Sequence, residues 1–139
     1  MTHDHPTRRA VLSGSTFEEQ IGYARAVVLE SGDSRWVHVS GTTGFDYARM
    51  TISDSVVEQA EQVLRNIAAA LAEAGCSFAD VVRVRYLLPD RNDFEACWPA
   101  LRAAFGAVRP AATMQECGLA DPRMKIEIEV DAHLIRPRA

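Results

Sequence analysis

The chain has 139 residues with 47% hydrophobic content, which suits one globular domain with a sizeable core and leaves no room for a second domain. Its formal net charge of -4 at pH 7 comes without a run of Lys or Arg, so it lacks the basic stripe that binding to a phosphate backbone requires, and nucleic acid is excluded as a partner. No apolar run approaches the roughly 18 to 20 residues that cross a bilayer, and the N-terminus lacks the apolar segment of a secretion signal, so we expect a cytoplasmic protein without a membrane partner.

The N-terminus predicts a tail before the folded domain. Residues 1 to 9 are polar and contain Pro6, and we expect them to form a flexible N-terminal tail, with a single domain over residues 10 to 136. The run Arg8 to Leu12, which overlaps the end of this tail, could begin an edge strand.

Two β-rich runs follow and predict a hairpin. They cover Ala24 to Glu30 and Arg35 to Ser40, and the turn-forming residues Ser31 to Ser34 separate them. We therefore expect two antiparallel strands. Gly41 to Gly44 then interrupts the pattern and predicts a loop at the end of the second strand.

A change in hydrophobic period from two to 3.6 indicates a long helix after Ser53. Ser55 and Glu58 have the spacing of a capping box, and Gly75 stands where a glycine would close the helix. One stripe of this helix is apolar and would face the core. The stripe consists of Val56, Ala60, Val63, Leu64, Ile67 and Leu71.

A second helix is predicted over Asp93 to Phe105, where aromatic and aliphatic residues recur at helical spacing. Asn92 would cap its N-terminus, and Gly106 lies beyond its end. Pro99 cannot donate a backbone hydrogen bond, so we expect either a kink there or a helix that begins near Trp98.

Three further strands are predicted at Val81 to Leu88, Ala111 to Glu116 and Met124 to Leu134. The order of strands, helix, strand, helix and strands indicates an α+β fold, with both helices packed on one face of a sheet. The other face would be polar, and it could meet water or form a wet subunit interface. The polar residues expected there are Arg83, Arg85, Lys125, Glu127 and Glu129.

Four segments between Phe17 and Ala132 carry a recognisable pattern. They are Ile21-Gly22-Tyr23, Val37-His38-Val39-Ser40-Gly41-Thr42, Asn92-Asp93-Phe94, and Arg109-Pro110-Ala111-Ala112-Thr113 with Lys125-Ile126-Glu127-Ile128-Glu129. In order and spacing they resemble the signatures of the RidA/YjgF family. The resemblance implies a chorismate-mutase-like α+β fold with a mixed sheet. It also implies a homotrimer with inward sheets, outward helices and small-molecule sites in three clefts between subunits.

The resemblance also assigns a ligand site. Imine-hydrolysing members of the family hold the substrate carboxylate with an arginine in a Pro-Ala-Arg-Ser/Thr segment, whereas this chain has Ala112 there, followed by Thr113. A methyl group supplies neither charge nor hydrogen bonds, so the carboxylate anchor is missing. Glu127 matches the family's water-positioning glutamate, and Tyr23 matches its cleft tyrosine. The strand end that borders the cleft corresponds to Ser40, Gly41 and Thr42.

Glu127 has two interpretations. If burial or a second acid raises its pKa toward neutrality, its carboxylate can orient water for hydrolysis, and Glu116 is the candidate second acid. Alternatively, Glu127 pairs with Arg83 or Arg85 across strands and has a purely structural role.

Two arginines could replace the missing cation. Arg25 and Arg109 lie near cleft segments in the sequence, and either could reach an anionic ligand. The alternative for both is the usual fate of arginines, which is to lie solvated at the surface.

The sequence has no pattern typical of a metal or cofactor site, and we expect neither. His3 and His5 have a His-x-His spacing without a third ligand nearby. The three cysteines are widely separated and form no Cys-x-x-Cys pair, so we expect reduced, packed thiols. His38 and His133 lie on predicted strands, where structural histidines are usual.

Two functions fit these features. In the first, the protein is a deaminase-like hydrolase whose cleft accepts a small metabolite other than the usual 2-imino acids, with Glu127 directing water. In the second, it is a non-catalytic ligand-binding or sensing trimer that lost turnover together with the arginine. Some RidA-like proteins are labelled endoribonucleases, but an acidic chain without a basic patch should bind RNA poorly at physiological salt.

Overall fold

The computed structural model describes residues 5 to 135 and contains a mixed sheet with two main helices. Both long helices pack on one face of the sheet, which confirms the expected α+β class and helix placement. The strands are β1 (Thr7–Val11), β2 (Ala26–Ser31), β3 (Ser34–Thr43), β4 (Phe45–Asp46), β5 (Thr51–Ile52), β6 (Val81–Leu88), β7 (Ala111–Glu116) and β8 (Glu127–Ile135). The helices are α1 (Thr16–Ile21), α2 (Val56–Glu73) and α3 (Phe94–Phe105), with 3₁₀ turns at Phe78–Asp80 and Arg91–Asp93.

Six strands form the main sheet in the order β1-β2-β3-β8-β6-β7, and β4 pairs with β5 separately. Neighbouring strands are antiparallel except β6 and β7, which are parallel and are joined through α3. The connection from β7 to β8, residues 117 to 126, therefore crosses the end of β6. Because β8 lies between β3 and β6, its first residue, Glu127, is flanked by Thr43 on one side and Leu87 on the other.

The core lies between the sheet and helices α2 and α3. Helix α2 begins after Ser55, whose hydroxyl accepts a hydrogen bond from the Glu58 amide, and Gly75 follows its end with a φ of 77°. The reciprocal half of the predicted capping box is not formed, because the Ser55 amide donates to Ser53 instead. The predicted apolar stripe of α2 packs inward as expected. The sheet residues that it faces include Val28, Val37, Val84, Ile128 and Val130.

The first strand begins earlier than the expected end of the tail at residue 9. Thr7 to Arg9 already pair with β2, while residues 1 to 4 lie outside the described residues. β1 is an edge strand, which pairs with a neighbour on one side only, and most of its side chains are exposed. Polar residues can therefore form such a strand. The edge strand expected over Arg8 to Leu12 is therefore present and begins one residue earlier, at Thr7, within the predicted tail.

The segment predicted as a loop after Ser40 continues the strand. β3 extends to Thr43, and its pairing with β8 shifts between Val39 and Thr42. The glycine-containing segment is thus an irregularity within a paired strand, of the kind found where strands border functional sites.

The later boundaries differ in two places. Helix α3 begins at Phe94 and continues through Pro99, so of the two alternatives given for Pro99 the start near Trp98 is wrong. Asn92 lies in the preceding 3₁₀ turn and is not the N-cap, which is Asp93. Strand β8 begins at Glu127, which leaves Lys125 outside the strand and off the polar sheet face. The backbone amide of Lys125 donates a hydrogen bond to the Gln59 side chain of α2, as described below.

Helix α1 was not predicted, because six residues are too few to show a period. Ser15 caps it by accepting a hydrogen bond from the Phe17 amide.

No helix within residues 5 to 135 is long and apolar enough to cross a membrane. The cysteines are free thiols, and burial, with a smaller contribution from Asp93, raises the pKa of Cys97 to about 11.

Candidate functional site

A pocket of about 240 Å³ opens beside α1, where β3 meets the start of β8. Four residues that the sequence predicted as site residues line it together: Tyr23, Ser40, Gly41 and Glu127. We call it the Tyr23–Glu127 pocket. The rest of its lining is mostly apolar and was not predicted. Those residues are Phe17, Ile21, Thr43, Tyr47, Ala120 and Met124.

The Glu127 carboxylate lies directly against the backbone of Gly41. A side-chain carbon at residue 41 would overlap the carboxylate, so only glycine permits this approach. Burial raises the pKa of Glu127 above its ordinary 4.5; the nearby Glu129 carboxylate adds to the increase, and Arg25 opposes it. The pKa is therefore shifted in the direction that suits proton transfer near neutral pH.

The structural interpretation of Glu127 is not supported by its neighbours. Arg85 pairs with Glu129 at 3.2 Å and with Asp131 at 3.5 Å, while Arg83 donates to the Thr113 hydroxyl. Within residues 5 to 135, the Glu127 carboxylate forms no hydrogen bond or ion pair. Its oxygens are consequently free to accept from a ligand or a water molecule.

Tyr23 adds a neutral donor to the pocket. Its hydroxyl accepts a hydrogen bond from Arg25 Nη2 at 3.3 Å, so the hydroxyl proton can still be donated to a ligand. Burial raises the pKa of Tyr23 above 10.0, although Arg25 opposes this, and the phenol is uncharged at pH 7. Ser40 donates its own proton to the Ala24 carbonyl at 2.6 Å and therefore offers the pocket an acceptor.

Arg25 cannot supply the missing cation, because all five of its N–H groups are already used. Nε and Nη2 donate to Glu18 at 3.2 and 3.1 Å, and the other donors reach the Gly41 carbonyl, the Thr42 hydroxyl and the Tyr23 hydroxyl. Arg25 and Glu18 are only 2% and 5% exposed. The guanidinium lies behind the pocket and fixes the positions of Tyr23 and Gly41.

Two polar side chains of α2 hold the chain around the pocket, and neither was predicted. Gln59, which is fully buried, donates to the carbonyls of Ser53 and Arg123 and accepts from the Lys125 amide. Asn66 donates to two carbonyls at the end of β3 and in β4. The only signal in the sequence is that Gln59 is a polar residue next to the apolar stripe of α2.

The other four predicted site residues, Thr42, Thr113, Glu116 and Ala112, lie outside this pocket. Thr42 is fully buried, where it accepts from Arg25 and donates to the Ser40 carbonyl. Thr113 lies on β7, two strands away from Glu127. Glu116 is exposed and accepts a hydrogen bond from the Arg91 amide at 2.8 Å, so within the protomer it is not the second acid beside Glu127.

Ala112 lies on the opposite face of the sheet from Glu127. It is in register with Val84, which faces the helices, and it lines a separate cavity together with Arg109. Because side chains alternate along a strand, no rearrangement within one protomer brings the Ala112 and Glu127 positions together. Arg109 is thus also remote from the Tyr23–Glu127 pocket within the protomer.

The fold can be compared with known proteins at this point. The family model described as Endoribonuclease L-PSP matches residues 15–134, which is nearly the whole described chain. The chain belongs to the RidA/YjgF family. The expected family and its fold are thereby confirmed.

Relatives in the RidA/YjgF family cover the chain almost completely. The 2-iminobutanoate/2-iminopropanoate deaminase of Capra hircus is 33% identical over 126 residues, covering 89% of each chain, and that of Homo sapiens is 32% identical with the same coverage. A solved structure of a YjgF/YER057c/UK114 family member from Mycobacterium tuberculosis is 38% identical, covers 92% of this chain and 100% of its own, and has a TM-score of 0.80. RidA from an Antarctic Psychrobacter species is 28% identical, with a TM-score of 0.72.

Proposed function

We propose that this RidA/YjgF protein binds a small metabolite in the Tyr23–Glu127 pocket and hydrolyses its carbon–nitrogen double bond. The observation that carries the proposal is the Glu127 carboxylate, which is half-buried, has a raised pKa and forms no internal hydrogen bond or ion pair within the described residues. A structural carboxylate in this position would ordinarily pair with a neighbouring arginine, as Glu129 does with Arg85. The deaminase names of the goat and human relatives support the same class of reaction.

The proposed reaction needs one proton shuttle. Glu127 accepts a proton from water as the water oxygen forms a bond to the imine carbon, and the proton passes to the imine nitrogen. Glu127 next accepts the hydroxyl proton of this carbinolamine and passes it to the nitrogen, while the carbon–oxygen double bond forms and the carbon–nitrogen single bond breaks. This releases a carbonyl compound and an amine and returns Glu127 to its initial state. Tyr23 donates a hydrogen bond to the substrate and orients it.

The substrate differs from the 2-imino acids of the named relatives. Residue 112 is alanine, and the five donors of Arg25 are all engaged, so no guanidinium lining the Tyr23–Glu127 pocket can hold a carboxylate. Losing such a charge-assisted pair costs about 1.5 to 3 kcal/mol, which is at least tenfold in affinity. The mostly apolar lining favours an imine or enamine without a carboxylate.

We further propose that the protein is a homotrimer in which the pocket opens into a cleft between subunits. The resemblance to the family and the exposed face of the sheet support this arrangement. Neither a metal nor a cofactor has a role in the proposed reaction, since water and one carboxylate complete its proton balance.

Glu127→Gln tests the enzymatic proposal. The amide cannot take up a proton, so we expect hydrolysis of a panel of small imines and enamines to fall by about 100-fold or more. Product amine is measured against a protein-free sample, because imines also hydrolyse in water alone. Glu19→Gln, an exposed change on α1, is the matched control and should retain full activity. Full activity of the Glu127→Gln variant would refute the role of this residue.

The loss of the family arginine favours a second candidate, a trimer that senses or carries a small ligand without turnover. In that case no member of the panel is hydrolysed faster than in water, yet at least one raises the melting temperature of the protein. The same panel therefore separates the two functions.

A further inference from the structure

The Tyr23–Glu127 pocket carries a negative charge without a counterion. Among the described residues that line it, Glu127 is the only acidic or basic one. Arg25 lies behind the pocket, but its charge is matched by Glu18, whose carboxylate accepts from Nε at 3.2 Å and from Nη2 at 3.1 Å. Within the protomer the electrostatics of the pocket are therefore set by one carboxylate.

Hydrogen-bond acceptors outnumber donors in this pocket. Within residues 5 to 135 the two oxygens of Glu127 have no hydrogen-bond partner, and Ser40 offers only its oxygen because its proton goes to the Ala24 carbonyl. Tyr23 supplies one donor. The Tyr47 hydroxyl is engaged with Thr43, from whose amide it accepts at 3.0 Å. A primary ammonium group, which has three donors and no acceptor, is complementary to this set.

Aromatic rings form much of the apolar wall. Phe17, Tyr23 and Tyr47 all line the pocket. The guanidinium carbon of Arg25 lies 5.6 Å from the ring centroid of Tyr23 and 4.5 Å from that of Tyr47, so both rings already contact a cation. The faces of aromatic rings attract positive charge, and proteins use such rings to recognise alkylated ammonium ligands.

An anionic ligand meets unfavourable conditions in the same pocket. Burial, with a smaller contribution from Glu129, raises the pKa of Glu127, although Arg25 opposes this, so the ionised carboxylate is already disfavoured before a ligand enters. A bound carboxylate would add a second negative charge, and Ala112 has none to neutralise it. A bound cation has the opposite effect, because an opposite charge nearby stabilises the ionised carboxylate.

We propose that the Tyr23–Glu127 pocket binds small primary alkylammonium ions in preference to carboxylates. The ammonium group pairs with Glu127 and donates to the Ser40 oxygen, while the alkyl chain packs against the aromatic wall. The inference rests on the proposed role of this pocket as the ligand site and names the class of ligand. Since an alkyl amine is protonated at neutral pH, the amine product of hydrolysis is itself a ligand and competes with the substrate.

Isothermal titration of the full-length protein tests this preference in potassium phosphate, because amine buffers would compete. Isobutylammonium, isobutanol and isobutyrate share a branched alkyl group and differ in charge. We expect the ammonium ion to bind at least about tenfold more tightly than the other two, because it alone forms a charge-assisted hydrogen bond with Glu127. Equal affinity for all three, tighter binding of isobutyrate, or no binding of the ammonium ion up to about 10 mM would overturn the proposal.

Glu127→Gln locates the bound cation. The amide keeps the shape of the side chain and removes its charge, so the affinity for isobutylammonium should fall by at least about tenfold while that for isobutanol changes little. Glu19→Gln removes a carboxylate from the exposed surface of α1 and should leave the affinity unchanged. If Glu127→Gln binds the ammonium ion as tightly as the wild type does, the counterion lies elsewhere and the proposal is wrong.

The binding measurement involves no turnover, so the cation preference and the hydrolytic function can fail separately. If isobutylammonium binds but no imine is hydrolysed, the hydrolytic function is wrong and the cation preference stands, as it would in a sensing trimer. If imines are hydrolysed but isobutylammonium does not bind, the cation preference is wrong and the hydrolytic function stands.

Discussion

Glu127 occupies a position where its charged form is unfavourable. A carboxylate on an exposed sheet face ordinarily keeps its hydration, but the Glu127 side chain lies against Gly41 and is half-buried. The folded protein therefore binds a proton at this residue more tightly than the unfolded chain does. Burial of Glu127 thus lowers the free energy of unfolding near neutral pH, and it leaves a carboxyl group that can transfer protons there.

The raised pKa of Glu127 predicts a pH-dependent gain in stability for Glu127→Gln. Because the folded-state pKa is raised, the stability of the wild type falls as the pH rises from about 4.5 through the folded-state pKa, and the loss persists at higher pH. The variant lacks this loss. Its melting temperature minus that of the wild type should be near zero at pH 4 and positive at pH 7. Glu19→Gln should show no such trend, and a flat difference for Glu127→Gln would contradict the burial argument.

The site roles of single residues could be predicted from the sequence where those residues lie in a family motif. Tyr23, Ser40, Gly41 and Glu127 were found from the family resemblance, and the structure brings them together in one pocket. Neither alternative given for Arg25, a replacement cation or a solvated surface arginine, is what the structure shows, because its role depends on tertiary contacts. Its partner Glu18 lies on a helix too short to be detected, and the carbonyl and hydroxyl acceptors come from the irregular part of β3.

At the scale of elements, the extension of β3 is the feature that shapes the pocket. The strand continues past Ser40 with shifted pairing, and this places the backbone of Gly41 against the start of β8. Periodicity predicted the strand but ended it too early, because glycine and threonine residues are as typical of loops as of irregular strands. Helix α1 escaped detection through its length, and the polar first residues of β1 were assigned to the tail although an edge strand was expected from Arg8.

Gly41→Ala tests this element directly. The added carbon overlaps the Glu127 carboxylate, so this flexible end of the side chain must move, and we expect loss of ligand binding in the pocket with a change in stability below about 1 kcal/mol. Urea unfolding and ligand-induced thermal shifts measure the two effects. Gly118→Ala is the matched control, since an added carbon there meets open space, and it should be close to neutral. Equal behaviour of the two variants would refute the close approach.

At the scale of the whole molecule, the sheet face away from the helices is unlike a simply hydrated surface. It carries charged pairs such as Arg85 with Glu129 and Asp131, but also Trp36, which is 39% exposed and stacks on His133 with centroids 4.1 Å apart. Leu29 and Ile135 extend the apolar part. A mixture of this kind is typical of a subunit interface.

Trp36→Asp should therefore disrupt the proposed trimer. Light scattering coupled to size-exclusion chromatography should give about three times the chain mass of 15.3 kDa for the wild type and a lower mass for the variant, because an unpaired charge would be buried in the interface. Trp98→Asp, an equally drastic change on the helical side, should leave the mass unchanged. A wild-type protein that runs as a single chain would refute the assembly.

The connection between β7 and β8 has a consequence for how this fold diversifies. Ala120 and Met124 form one rim of the Tyr23–Glu127 pocket, yet the connection belongs to no strand, and its first residue, Cys117, donates its amide to the Leu88 carbonyl at the end of β6. The buried amide of Gln59 secures the end of this connection through backbone groups, so its side chains can vary while the attachment persists. Natural selection can thus retune what enters the pocket through substitutions at the exposed Ala120 at little risk to folding, whereas Met124 and Ile126 are buried core residues.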